Sequence, residues 1–258
     1  MDLHLKDKVF IITGGASGIG RAIALTLAQE GAIPVIFDRA PLADDTRTDL
    51  LKFTNKFHFF QFDITDEESC KKAVLKTCSK TQRIDGLVNN VGVNDGVGLE
   101  AGKAAFVRSL ELNLIHAYVL CHLCLDEIKK NQGAIVNISS KTALTGQGNT
   151  SGYVAAKAAL LGLTREWAAT LAAFNVRVNA VIPAEVYTLM YQKWLETRPN
   201  PQQALAEIQS RIPLGKRLTT EKEIADMAVF LLSDRASHMT GQWLHPDGGY
   251  VHLDRALA

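Results

Sequence analysis

The sequence predicts an α/β fold, a single doubly wound parallel sheet of about seven strands with helices on both faces. Three observations carry that expectation. Short apolar runs alternate with helix-length segments along the chain. The first run ends in the glycine-rich turn Gly14-Gly15-Ala16-Ser17-Gly18-Ile19-Gly20, and the second ends in an acid, Asp38.

Val9-Phe10-Ile11-Ile12 is β-branched and aromatic throughout, as a strand buried on both faces must be. Residues 20–30 place Ile23, Leu27 and Ala28 on one helical face, with Gly31 as a stop. Pro34–Phe37 is the second strand and Phe57–Phe62 the third, ending at Asp63. Further strands are expected at Gly86–Asn89, Ala134–Ile138, Val176–Val181 and Trp243-Leu244. Helices are expected near 66–80, 103–129, 151–173, 188–210 and 221–232. The stretch 40–55 reads as a loop or short frayed helix, because Pro41, Asp44, Asp45 and several threonines interrupt any pattern. No repeat or flexible linker divides the chain, so 1–258 is expected to be one domain. Within it, 184–215 carries Pro199-Asn200-Pro201 between two helical pieces and reads as a segment covering the substrate site.

The totals narrow the function. Lys and Arg number 28 against 27 Asp and Glu, which leaves no electrostatic footprint for nucleic acid or an anionic membrane. The first residues mix charges and lack the apolar core of a signal peptide, and no uncharged apolar stretch of about 18 residues occurs. Four cysteines in 258 residues make no disulfide scaffold, so a reducing, cytoplasmic setting is expected. Cys121-x-x-Cys124, with His116 and His122 nearby, lies in an apolar helix and lacks a second ligand pair. It reads as core rather than metal, and no metal is expected.

The glycine-rich turn lies between a strand and a helix. There, backbone N–H groups and the helix dipole favour a pyrophosphate. Asp38, at the end of the next strand, suits the adenosine 2′- and 3′-hydroxyls and repels a 2′-phosphate. Arg39 is the contrary sign, since arginine accommodates that phosphate. The balance favours NAD over NADP.

Thr13-Gly14-x-x-x-Gly18-x-Gly20, Asn89-Asn90-Val91-Gly92, Ser140 and Tyr153-x-x-x-Lys157 together resemble the motif series of the classical short-chain dehydrogenase/reductase family, over essentially the whole chain. The resemblance implies a Rossmann-type fold, a nicotinamide cofactor and a homotetramer. It implies cofactor contacts from Gly14, Ser17, Gly18, Ile19, Gly20, Asp38, Arg39, Asp63, Ile64, Asn90, Val91, Gly92, Tyr153, Lys157, Pro183, Val186 and Thr188. The catalytic set would be Asn113, Ser140, Tyr153 and Lys157.

The chemistry of those residues is coherent. Taking hydride from a carbinol carbon requires the hydroxyl to lose its proton, and tyrosine, near 10 in peptides, is a poor base at neutral pH. Lys157 stands on the same helical face four residues on. Its charge is expected to favour the phenolate and lower the Tyr153 pKa. Ser140, just beyond the Ala134–Ile138 run, can hydrogen-bond the reacting oxygen; Ser139 competes for that role, and the family spacing selects Ser140. By resemblance, Asn113 links the lysine to solvent through a water.

Where the family usually has Pro-Gly after the sixth strand, this chain has Pro183-Ala184, followed by Glu185. The expected pocket edge is rich in hydrogen-bonding groups: Asn94, Asp95, Lys141, Gln147, Asn149, Thr150 and Glu185. Such groups suit a polyhydroxylated ligand better than a lipid. Tyr187, Tyr191 and Trp194 of the covering segment could face sugar C–H groups or simply pack it down. The runs around Val91–Gly96, Ser140–Ala143, Gly146–Tyr153 and Ile182–Val186 are similar to bacterial L-fucose (aldose) dehydrogenases of the family. That likeness implies oxidation of a pyranose C1 hydroxyl to a lactone. The alternatives are a 3-oxoacyl or other carbonyl reductase, which Asp38 and Glu185 disfavour, and a non-catalytic NAD-binding regulator, which would need no tyrosine base. The helix from Tyr153 is apolar nearly all round in its first half, so a further copy of the chain is expected to cover it.

Overall fold

The structure, a computed structural model, describes residues 2–253. Seven parallel strands run in the order β3-β2-β1-β4-β5-β6-β7. They are β1 (Val9–Thr13), β2 (Ile33–Asp38), β3 (His58–Gln61), β4 (Gly86–Asn89), β5 (Ala134–Ile138), β6 (Arg177–Val181) and β7 (Trp243–Leu244). The order reverses between β1 and β4, and the crevice beyond the carboxyl ends of those strands is where open α/β sheets bind ligands.

Alternate residues of each strand feed two cores. On one face Phe10, Ile12, Ile36, Val88 and Val136 pack with Ile23 and Leu27 of α1 (Gly18–Gln29) and Ile224 and Leu231 of α10 (Glu221–Leu232). On the other, Val9, Ile11, Val35, Leu87, Ile135 and Val178 meet Val74 of α3 (Glu67–Thr81), Leu120 and Ile128 of α5 (His116–Lys130), and Leu171 of α7 (Ser151–Leu171). Burial on both faces is why these strands read as continuous apolar runs.

Several boundaries differ from expectation. The stretch 40–55 holds the eight-residue helix α2 (Asp44–Leu51), which buries only Thr46 and Leu50. The expected helix over 103–129 is α4 (Gly102–Leu110), one π turn at Glu111–Ile115, and then α5. That combined run, Leu99–Lys130, is long and apolar enough by length and composition to cross a membrane. Here it buries Leu120, Cys121, Cys124 and Ile128 in the core. A four-residue helix, α6 (Thr142–Thr145), follows β5. The covering segment contains α8 (Leu189–Glu196), started by the Thr188 hydroxyl accepting the Tyr191 N–H, and α9 (Pro201–Ser210), capped by Asn200. The segment is clasped at its base: Thr219 donates its N–H to the Glu185 carbonyl at 2.9 Å and accepts the Tyr187 N–H at 3.1 Å.

Candidate active site

The glycine-rich turn is held from beneath. The Asn90 amide donates to the carbonyls of Thr13 at 2.9 Å and Gly14 at 3.3 Å, while the Thr13 hydroxyl accepts the N–H groups of Asn90 and Val91. A Cβ at Gly20 would fall 2.1 Å from the Gly14 carbonyl oxygen, so only glycine permits this turn to fold onto its helix. Ser17 stands at the N-cap without capping the helix through its hydroxyl, and Gly14, Ser17, Gly18 and Ile19 line the cavity at the start of α1.

The cavity is about 870 Å³ and runs from this turn across the carboxyl ends of the strands to α8. At one end, Asp38 accepts the Ala16 N–H at 3.0 Å and the Ala40 N–H at 2.9 Å, which fixes its carboxylate beside the turn. Arg39 borders the same end, its carbonyl accepting the Gln61 amide. The Asp63 carboxylate accepts the Thr65 N–H and hydroxyl, and these bonds hold its pKa below the ordinary value. Ile64, Asn90, Val91 and Gly92 continue the lining, and Pro183, Val186 and Thr188 close the far side.

Lys157 is 2% exposed, and its ammonium donates to the Ile138 carbonyl at 2.9 Å and more distantly to Val91 at 3.4 Å. A Cβ at Gly92 would stand 2.7 Å from that nitrogen, so a side chain there would displace the lysine. Asn113, fully buried in the π turn, accepts the Val93 N–H at 2.7 Å and donates to the Ser109 carbonyl. It thereby ties the helix to the loop that follows β4. The wider π turn re-aims one side chain within an otherwise continuous helix.

The two serines separate by geometry. The Ser139 hydroxyl donates to the Lys157 carbonyl at 2.8 Å and braces α7 against β5. The Ser140 hydroxyl lines the cavity and accepts from the Thr142 N–H and hydroxyl. Burial pushes the Tyr153 phenol above its ordinary pKa, and the neighbouring Ser140 hydroxyl acts in the opposite sense. The expected lowering by Lys157 is therefore not what this geometry gives. The lysine nitrogen is 5.8 Å from the Tyr153 ring centroid, and its own pKa is pulled down by burial to about 8. Near neutral pH it still carries its charge for the greater part.

Toward the other end, Lys141 and Glu185 form an ion pair on the cavity wall, with side chains 14% and 11% exposed. Asn94 accepts the Thr150 hydroxyl and the Gly96 N–H, which engages its carbonyl oxygen; Asn149 takes a left-handed turn with φ 51°. Gln147, Asn149 and Trp194 line the cavity. Asp95 is not among the lining residues, contrary to the sequence reading, and Tyr187, with two roles open to it, does not line the cavity. Both are exposed, Asp95 at the tip of the loop after β4 and Tyr187 on the outside of the covering segment. Sequence reasoning missed Leu189, Met190, Arg198 and Ile208, which bring an apolar and cationic side to the same wall. For Leu189, Met190 and Ile208 the signal was the amphipathic pattern of α8 and α9; Arg198, between the two helices, left none. The Trp194 ring meets the Tyr191 ring at a tilt, 5.2 Å between centroids, and the Arg198 guanidinium lies over it at 4.3 Å.

Cys121 and Cys124 are buried in the core, and burial drives both thiols up, Cys121 to about 12. Among the described residues no group of three or more His, Cys, Asp or Glu is placed to hold a metal ion.

The turn at Gly14–Ile19, closed beneath by the buried Gly20, and the closely approached backbone at Gly92 lie along one long cavity with the Asp38 carboxylate. They fit an extended dinucleotide laid from Asp38 to Tyr153. This is the arrangement of a nicotinamide-dependent oxidoreductase. The chain belongs to the short-chain dehydrogenase/reductase family: residues 14–251 match the family model described as enoyl-(acyl carrier protein) reductase. It is 36% identical to the 3-oxoacyl-[acyl-carrier-protein] reductase FabG of Thermotoga maritima, over 96% of this chain and 100% of the relative. It is 34% identical to the L-fucose dehydrogenase of Bos taurus, over 96% and 91%. A crystal structure of the Cj0485 dehydrogenase superposes with a TM-score of 0.96 at 52% identity, covering 99% of this chain and 98% of that one. The protein is an NAD(P)-dependent oxidoreductase enzyme with a Rossmann-type fold.

Proposed function

We propose that the enzyme uses NAD to oxidise a hydroxyl of a polyhydroxylated, sugar-like substrate, in particular the C1 hydroxyl of an aldose such as L-fucose, giving a lactone. The observation that carries this reading is the Lys141–Glu185 pair on the cavity wall. A charged donor–acceptor pair is poorly compensated by an apolar chain and well matched by neighbouring hydroxyls. The likeness to the Bos taurus L-fucose dehydrogenase supports it.

In this reading the nicotinamide, when bound, supplies the hydride acceptor. Tyr153 takes the hydroxyl proton onto its phenolic oxygen, Ser140 donates a hydrogen bond to the reacting oxygen, and Lys157 favours the phenolate. Asn113 fixes the loop beside Lys157. The cofactor is held by the turn at Gly14–Gly20, and Asp38 selects NAD by receiving ribose hydroxyls. The substrate meets Asn94, Lys141, Gln147, Asn149, Glu185 and Trp194, under the cover of 184–215. One domain, 1–258, working in the cytoplasm as a homotetramer completes the reading. The half-buried Val154, Ala155, Ala158 and Ala159 of α7 supply the apolar face for assembly.

The test is a panel of aldoses, polyols and 3-oxoacyl substrates followed by NADH absorbance. Aldose oxidation with NAD is expected. Turnover confined to 3-oxoacyl substrates with NADPH would establish the second reading, a carbonyl reductase, which the 36% identity to the Thermotoga maritima reductase favours.

A further inference from the structure

The turn after β7 is fixed with unusual care. The buried Asp247 carboxylate accepts the Gly249 N–H at 2.8 Å and the Val251 N–H at 3.0 Å. The Gly248 carbonyl accepts the Leu214 N–H at 2.9 Å, and the Thr219 hydroxyl donates to the Pro246 carbonyl at 3.4 Å. A Cβ at Gly248 would fall 2.8 Å from Ile212, so the turn is seated closely on the chain returning from the covering segment. Thr219 also donates its N–H to the Glu185 carbonyl. The turn and Glu185 thus share one support.

What the turn presents is Tyr250. Its ring lies 4.2 Å from the Lys141 ammonium, which is at the same time in contact with the Glu185 carboxylate. Residues 141, 185 and 250, remote in sequence, therefore meet in one cluster, with Lys141 and Glu185 lining the cavity and Tyr250 against the lysine. A lysine on its flexible stem loses considerable rotamer freedom when a ligand fixes it. An aromatic face attracts the ammonium, the more so where water is scarce, and restricts it before any ligand arrives. So restricted, the Lys141 donors and the Glu185 acceptors stand side by side, the pattern that two adjacent hydroxyls require.

We propose that Tyr250 is a positioning residue for substrate recognition, holding Lys141 against Glu185 so that the pair receives a vicinal diol of the substrate; this rests on the sugar reading above. The carboxyl-terminal turn then contributes to substrate selectivity although it supplies none of the reacting groups.

The test compares Tyr250→Phe, Tyr250→Leu and Tyr250→Met in steady-state oxidation of aldoses and of a monofunctional secondary alcohol, with NAD affinity measured by fluorescence. Tyr250→Leu and Tyr250→Met should raise KM for the aldose about tenfold, with kcat and NAD affinity within about twofold. Tyr250→Phe, which keeps the ring, should stay within about threefold of wild type, and KM for the simple alcohol should not move. Tyr250→Met guards against a folding defect peculiar to leucine. An unchanged aldose KM in Tyr250→Leu, or an equal rise in Tyr250→Phe, would overturn the proposal. Wild-type enzyme inactive on every aldose and polyol would instead remove the sugar assignment, and this inference with it.

Discussion

Lys157 donates its ammonium to the Ile138 carbonyl at 2.9 Å, so the charge beside Tyr153 is tied to the last residue of β5. The Lys157 charge is thus positioned by the sheet itself. Removing the phenolic oxygen should therefore leave the rest of the site standing. Tyr153→Phe is expected to lose turnover by more than tenfold while NAD binds within a few-fold, as measured by stopped assay and fluorescence titration. Retention of more than about a tenth of the wild-type rate would show that another group takes the proton.

Asp38 holds two backbone N–H groups besides facing the cavity, so its replacement has both a chemical and a structural component. Asp38→Asn should keep part of that bonding and still relieve the repulsion of a 2′-phosphate. Measured kcat/KM should favour NAD in the wild type and move toward NADP by about ten- to a hundredfold in the variant. Wild-type preference for NADP would mean that Arg39 outweighs Asp38.

Glu185→Gln keeps the shape of the pocket wall but weakens a charge-assisted bond. A loss of about 1.5–3 kcal/mol, roughly ten- to a hundredfold in kcat/KM, is expected for polyhydroxylated substrates only. Because Lys141 and Glu185 are already in contact, a double-mutant cycle should show coupling in Tm even without substrate. The decisive readout is thus the sugar-specific loss, and equal losses on sugars and simple alcohols would leave the pair a purely structural one.

His116 is 2% exposed, and beyond the Leu112 backbone its imidazole has no hydrogen-bond partner among the described residues. Burial, reinforced by the charge of Lys157, holds its pKa at about 3 against 6.5 unfolded. Between those values the unfolded chain binds a proton that the folded one refuses. Stability from this site is therefore complete above about pH 6.5 and falls with acidification, by at most about 1.4 kcal/mol per pH unit. His116→Leu should raise stability by about 1–3 kcal/mol at pH 7 and flatten the acid limb, checked by denaturant melts at pH 7 and 5. A wild-type-to-variant difference equal at both pH values would contradict a buried neutral imidazole.

The strands and the ligand cradle were legible because their causes are local. Val9–Ile12 must be apolar to lie between two cores, and Gly20 must be glycine for the turn to close. The π turn at Glu111–Ile115 was not legible, since one wider turn barely disturbs a helical pattern on both sides of it. Ser139 and Ser140 are adjacent and chemically alike, and spacing separated them only by family likeness; in space one faces α7 and the other the cavity. Asp95 and Gln147 looked equally suited to a polar pocket edge, yet loop direction sends only Gln147 to the lining. Tyr250 left no local trace, because its contact with Lys141 spans more than a hundred residues of chain. Expectations for the Tyr153 pKa failed for a related reason: burial depends on the whole fold, whereas the Tyr-x-x-x-Lys spacing records only a neighbour.

The clasp at Thr219 has an evolutionary consequence. Because the chain leaves the sheet at Glu185 and is caught again by the same short bridge at Thr219, the part between forms a handle with two fixed roots, pinned once more where Leu214 donates to Gly248. Lengthening such a handle is thermodynamically cheap, about 0.6 kcal/mol for each doubling. Its exposed helices can therefore vary in length and sequence at little cost while the floor beneath, which carries Ser140, Tyr153 and Lys157, keeps its shape. New substrates would then be acquired by varying the handle, with the chemistry left to the floor.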